Sequence, residues 1–280
     1  MKTKISIFIV SFVLIYGCAL FVGKDDNIKY GSNPLIGQYV DVNGVKLYYE
    51  VYGEGEPLIL LHGGIGSING FHLNIPVYKK FFKVYAYDRS GHGRSDDSGK
   101  PFDYKAMANE TIHFMDAVGI KAAFMVGYSD GGIIGYHIAS LFPDRVKKLV
   151  AVGANVGAEN LGIPIENFEA WLNPNSPAKW VQDIEPEYTK LSPTPNFKHY
   201  IERTRDLWIG DSYPTVDQIK KITVPVMIVS GDREDLPLEH AVELYRSLKN
   251  GQLCIIPNGD HFILTKQAAL MNKIVVEYLR

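Results

Sequence analysis

The sequence has almost no cysteine. Cys18 and Cys254 are the two among 280 residues, which excludes a disulfide framework and a cysteine-based metal centre. Cys254 lies in the apolar run QLCIIP (252–257), which predicts a buried strand with a packed, unreactive thiol. An excess of one charge is missing too. The 29 basic and 31 acidic residues leave a net charge of −2 without a long run of either sign. Nucleic acid is thereby excluded as a partner, because phosphate binding needs a concentrated basic patch. Internal repeats and low-complexity tracts are also absent. At 46% hydrophobic content the chain can bury the core of one large domain, or of one domain with an insertion.

Long hydrophobic runs are missing with one exception, at the amino terminus. MKTKISIFIVSFVLIYGCALFVGKDD carries Lys2 and Lys4, then apolar residues from Ile5, then polar residues from Lys24. That is the layout of an export signal. The stretch LIYGC (14–18) resembles the lipobox of bacterial lipoproteins, which predicts a signal peptide over 1–17, lipidation of Cys18 and attachment to the cell envelope. Tyr16 is larger than usual in that pattern, and residues 5–22 are just long enough to span a bilayer. An uncleaved anchor and simple secretion therefore stay open. Residues 18–36, with Asn33-Pro34, read as a linker.

From residue 37 the pattern is strand and helix in alternation. Asn43-Gly44 between two β-rich runs predicts a hairpin, since both turn positions tolerate positive φ. Continuous apolar runs at 57–64, 83–88, 122–127, 148–154, 225–231 and 252–257 suit strands covered on both faces. Helical patterns lie at 104–118 behind the N-cap candidate Asp103, and at 130–142, 238–248 and 262–279. Together they predict an α/β domain: a mostly parallel sheet with helices on both faces and the hairpin at one edge. Residues 155–223 break the rhythm. They are rich in proline and scattered aromatics, including Phe168, Trp171, Trp180, Tyr188 and Trp208, and are too long for an ordinary loop. This predicts an inserted helical lid between core segments 37–154 and 224–280.

The stretch GYSDG (127–131) fits a sharp strand-to-helix turn that displays Ser129, with glycine two residues away on either side because a side chain there would collide. A serine hydroxyl needs a base. His261, in NGDHF, follows the last strand and so sits at the sheet end where α/β proteins bind ligands. His62, in LLHGG, competes for that role but reads as a residue shaping its own loop. A third group must orient the histidine, and GDRED (231–235) offers Asp232, Glu234 and Asp235. The order serine, acid, histidine is that of the hydrolases.

These residues, with HGG (62–64), YDRSGHGRSD (87–96) and GYSDGG (127–132), resemble the α/β-hydrolase fold superfamily over 37–280. The resemblance implies a Ser129, acid and His261 triad, with Glu234 as the acid from its spacing after Gly231. Asp235 is the alternative through a one-residue shift, and Asp232 is a turn residue. It also implies an oxyanion hole from the N–H groups of Gly64 and Asp130. Asp88, Arg89, His92 and Arg94 belong to what is in this family a structural loop. The implied activity is carboxylic ester hydrolysis through an acyl-enzyme on a small-molecule substrate, without cofactor or metal. Amides and lactones, C–C bond hydrolysis and perhydrolysis on the same triad stay open. A non-enzymatic ligand-binding protein on the fold is disfavoured because every triad member is present. Dehalogenase chemistry is disfavoured because it uses an aspartate where this chain has Ser129. Residues 127–155 are similar to the subgroup that contains valacyclovir hydrolase, where the acid after the nucleophile receives the substrate's ammonium group. That implies Asp130 as a substrate-binding residue, against the simpler alternative of an acid favoured by the helix dipole.

Overall fold

Asn43 and Gly44 have φ of 55° and 83°, and between them the chain reverses from β1 (Gln38–Val42) into β2 (Val45–Tyr52). The computed structural model describes residues 28–280; the expected export signal and Cys18 lie outside these. The remaining strands are β3 (Pro57–Leu61), β4 (Lys83–Tyr87), β5 (Ala123–Tyr128), β6 (Val146–Val152), β7 (Val226–Gly231) and β8 (Gly251–Ile256). They form one sheet in the order β1-β2-β4-β3-β5-β6-β7-β8. The hairpin joins antiparallel to β4, and every pairing from β4 to β8 is parallel.

In β3 successive side chains enter opposite layers. Ile59 and Leu61 pack into one, Leu58 and Leu60 into the other, and all four are buried. Period-two alternation with both faces covered is why the run carries no polar residue. The second layer holds α1 (Ile75–Tyr78). The first holds α2 (Tyr104–Ala117), capped by the Asp103 side chain, and α3 (Asp130–Leu141). Residues 155–223 contain no strand. They form α4 (Ile165–Trp171), α5 (Lys179–Gln182), α6 (Glu185–Leu191), α7 (Phe197–Ile209) and α8 (Val216–Lys221). Leu172, Val181, Tyr188, Tyr200 and Ile201 make a small core of their own within this insertion. The last of these helices behaves differently. A Thr215/Gln218 capping box starts α8, and Ile219 and Ile222 are buried in the sheet's first layer, which also takes α9 (Leu238–Ser247).

Three stretches differ from expectation. The helix over 262–279 is two, α10 (Ile263–Lys266) and α11 (Ala268–Leu279), because Gln267 leaves helical geometry at φ −123°, ψ 35°. The break lets Ile263, Leu264, Met271 and Val275 reach the same apolar layer. The QLCIIP run is an edge strand, paired among the described residues only with β7, so Cys254 is half-buried rather than enclosed. Burial still pushes its thiol pKa up. Finally, the described part of the linker is docked. Tyr30 and Asn33 are buried, and the Gly31 and Asn33 N–H groups donate to the fully buried Glu50 carboxylate at 2.7 and 2.9 Å. Tyr48 and Tyr52 hydroxyls complete its shell at 2.7 and 2.6 Å, four donors that offset the cost of an interior charge.

Candidate active site

Ser129 sits between the last residue of β5 and the first of α3, with φ 53° and ψ −122°. A serine at positive φ is strained, and the flanking glycines show what makes room for it. A Cβ on Gly127 would lie 2.3 Å from the Gly131 carbonyl oxygen, and one on Gly131 would lie 1.9 Å from that of Leu61. Alanine at either position has no place to go.

His261 lies on the loop between β8 and α10. Its Nε2 is 3.1 Å from Ser129 Oγ, and its Nδ1 is 2.7 Å from Glu234 Oε1. Glu234 comes from the loop between β7 and α9, so three strand ends supply the three residues. A carboxylate can only accept, so Nδ1 carries the proton and Nε2 is left to accept from the serine hydroxyl. The Glu234 side chain is 1% exposed, that of His261 30%. Asp235 and Asp232 are exposed, and the His261 Nδ1 partner is Glu234. Burial acts to lower the His261 pKa, but the Glu234 hydrogen bond and charge, with the charges of Asp235 and Asp130, outweigh it and hold the pKa above the ordinary value. Gly153, after β6, packs against this pair. At φ 58° its Cβ would meet Glu234 Oε2 and His261 Nδ1, each at 3.2 Å. In the sequence Gly153 is only the glycine near the end of the run 148–154.

Gly64 follows β3 and faces the start of α3. Its Cβ would lie 2.5 Å from Asp130 Oδ2 and 2.8 Å from Trp208 Cζ2. Asp130 opens α3, where a backbone N–H has no partner within the helix.

Residues 56–186 match the family model of the alpha/beta hydrolase fold. The human serine hydrolase BPHL is 27% identical over 257 residues, which cover 86% of this chain and 85% of that one. A bifunctional esterase/perhydrolase of Acinetobacter calcoaceticus is 26% identical, covering 88% of this chain and all of that one. Among solved structures, a meta-cleavage product hydrolase from Pseudomonas fluorescens IP01 superposes with a TM-score of 0.70 at 25% identity, covering 87% and 97% of the two chains. The chain has the α/β-hydrolase fold.

In this α/β hydrolase the Asp130 carboxylate is buried and accepts from the Tyr104 hydroxyl at 3.0 Å and from Trp208 Nε1 at 3.1 Å to each oxygen. Burial raises its pKa, and the Arg89 charge and these two hydrogen bonds offset that in part. Trp208, on α7, is thus the aromatic of the inserted segment that reaches the site. Phe168 touches Trp208 and Trp171, Trp171 touches Trp180, and Tyr188 stacks on Tyr200 within the insertion's own packing.

The loop after β4 holds the hydrolase scaffold rather than the serine. Asp88 accepts from the backbone N–H groups of Ile68 and Arg94 at 2.8 and 2.9 Å. Arg94 Nε donates to the Gly31 carbonyl at 2.8 Å, and His92 is packed among His62, Phe102 and Tyr200. His62 cannot act as a base for Ser129. Its Nδ1 bonds Gly63 O at 2.8 Å and its Nε2 accepts from the Arg89 N–H at 3.2 Å. Burial holds it well below the usual histidine range. No cluster of three or more His, Cys, Asp or Glu suited to a metal occurs among the described residues. Tyr104 and Gly153 were not singled out by sequence. Neither carries a motif, and each joins the site only through the fold.

Proposed function

We propose that this α/β hydrolase cleaves carboxylic esters through an acyl-enzyme on Ser129, and the observation that carries the proposal is the hydrogen-bonded line Ser129–His261–Glu234. His261 Nε2 takes the hydroxyl proton as Oγ attacks the ester carbonyl, and Glu234 stabilises the imidazolium that results. The tetrahedral oxyanion is received by the N–H groups of Gly64 and Asp130. Its collapse expels the alcohol, protonated by His261. Water then repeats the sequence at the acyl-enzyme to release the acid and restore Ser129. Relatives named as a serine hydrolase and as an esterase support this reading.

A second part of the proposal concerns the substrate. Asp130 is a buried carboxylate beside the oxyanion loop whose hydrogen-bond donors, Tyr104 and Trp208, are neutral. A substrate ammonium group there supplies a cation paired directly with the carboxylate, which favours α-amino acid esters. The amino-terminal reading stays part of the proposal: an envelope enzyme tethered through lipidated Cys18. A mature protein that keeps Met1 in mass spectrometry removes that last element.

The test combines covalent labelling with an ester panel. A fluorophosphonate probe is expected to label Ser129, and ester turnover is expected to disappear in Ser129→Ala. Failure of native protein to label, with no ester turned over, defeats the proposal in favour of a binding protein on the same fold.

A further inference from the structure

Arg89 is fully buried, and both of its terminal nitrogens go to one short piece of backbone. Nη1 donates to the His62 carbonyl, and Nη2 donates to the Gly63 carbonyl at 2.9 Å. The Arg89 backbone N–H donates to His62 Nε2 at 3.2 Å, which leaves the His62 proton on Nδ1, and Nδ1 donates to the same Gly63 carbonyl at 2.8 Å. Gly63 O therefore receives two donors, one of them a full cation. The charges of Arg89 and its neighbours Asp130 and Glu110 influence one another, yet Arg89 forms no ion pair among the described residues. An interior cation hydrogen-bonded to backbone carbonyls carries a large desolvation cost.

The arrangement has a consequence in the peptide that follows. No peptide bond among the described residues is cis. In a planar trans peptide the C=O and N–H point in opposite directions. Holding the Gly63 oxygen thus fixes the direction of the Gly64 N–H. A cation on the oxygen also draws electron density through the amide and makes that N–H a stronger donor, because linked hydrogen bonds polarise one another. We propose that Arg89 is the positioning residue of the oxyanion hole: through the Gly63 carbonyl it aims and polarises the Gly64 N–H. Arg89 itself does not touch substrate. The inference rests on the serine-hydrolase reading above.

Arg89→Met and Arg89→Lys test it, with an ester substrate and a trifluoromethyl ketone that adds to the serine to form an oxyanion. Arg89→Met is expected to lower kcat by about 10²-fold, the effect of losing one oxyanion donor, with KM within about twofold. Affinity for the ketone is expected to fall by the same factor as kcat. Arg89→Lys is expected to regain part of both, since an ammonium group can reach one of the two carbonyls. Should Arg89→Met not fold, Arg89→Lys decides alone. The assignment is overturned by an unchanged kcat, by a rise in KM in its place, or by a ketone affinity that does not follow kcat. It is equally overturned if kcat falls only in proportion to the folded fraction measured by circular dichroism. Turnover that survives Ser129→Ala overturns the mechanism and this inference together; turnover that Ser129→Ala abolishes but Arg89→Lys leaves whole overturns the inference alone.

Discussion

Two carboxylates are buried near Ser129, and the regions around them are built on opposite principles. On the core side, Glu234 meets the imidazole of His261 at 2.7 Å, a partner that can gain a proton. On the side facing the inserted segment, Asp130 meets a phenol and an indole, partners that stay neutral near neutral pH. The first arrangement answers a charge that appears on His261 during turnover. The second holds a negative charge whose hydrogen-bond partners are both neutral, with the Arg89 charge acting on it but not hydrogen-bonded to it, which suits recognition better than proton transfer. The same functional group thus takes its role from what faces it.

The comparison is broken most severely by removing what both regions serve. Ser129→Ala is expected to lower ester kcat by at least about 10⁴-fold, measured against the wild-type rate on a simple aryl acetate. Glu234→Gln comes next. Its amide offers His261 no negative charge, and kcat is expected to fall about 10²–10⁴-fold. The pH profile carries the sign. His261 must be neutral to act as base, so the rising limb of kcat/KM reports its pKa. Glu234 helps hold that pKa above the ordinary value while burial works to lower it, so the limb in Glu234→Gln is expected to move to lower pH. Asp235→Asn, at an exposed position, is expected to keep most of the activity. Equal damage from the two substitutions would return the choice of acid to the alternative.

A smaller effect sharpens the other half. Asp130→Asn keeps an acceptor for Tyr104 and Trp208 but removes the charge. Selectivity for α-amino acid esters over the matching plain esters is expected to drop about 10–100-fold, the range of a hydrogen bond to a charged group, in a ratio of kcat/KM values. A uniform loss on both substrates would show that Asp130 serves α3 and the oxyanion hole alone.

What the sequence revealed follows the range over which each rule acts. The Asn43-Gly44 hairpin, the apolar strands and the glycines about Ser129 are set by neighbours a few residues away, and each was legible. The meeting of Ser129 with His261 follows from a parallel sheet, which delivers strand ends to one side. Glu234 and Asp235 differ by one residue in a loop. Only the fold separates them, by burying one side chain beside His261 and exposing the other. Trp208 was one aromatic among several in a segment without period, and its indole finds Asp130 only because α7 crosses the start of α3. The grip of Arg89 on His62 and Gly63 spans 27 and 26 residues; the motifs marked both loops but not the contact between them. The edge position of β8 was hidden because an apolar run looks alike at the rim of a sheet and at its centre.

The smallest expected effect separates the two carboxylates through stability. Burial raises the Asp130 pKa above its ordinary value, so the folded protein binds that proton more tightly than the unfolded chain does. A group raised in this way contributes stability that is fully present below its unfolded pKa and is lost as pH rises through the folded value. Near neutral pH the ionised Asp130 is therefore a net cost to the fold. An amide in its place cannot ionise and keeps an oxygen for the two donors, so Asp130→Asn is expected to raise the melting temperature near pH 7 by about 1–3 °C. The gain should shrink as pH is lowered through the raised folded-state value toward the ordinary carboxylate range, as the wild-type carboxyl takes up its proton. Calorimetry across that range gives the answer. A variant that is more stable yet has lost its preference for amino esters means that the charge is kept for the substrate and against the stability of the fold. A variant that is less stable at every pH means that Asp130 is held by its hydrogen bonds, and the contrast with Glu234 then reduces to geometry.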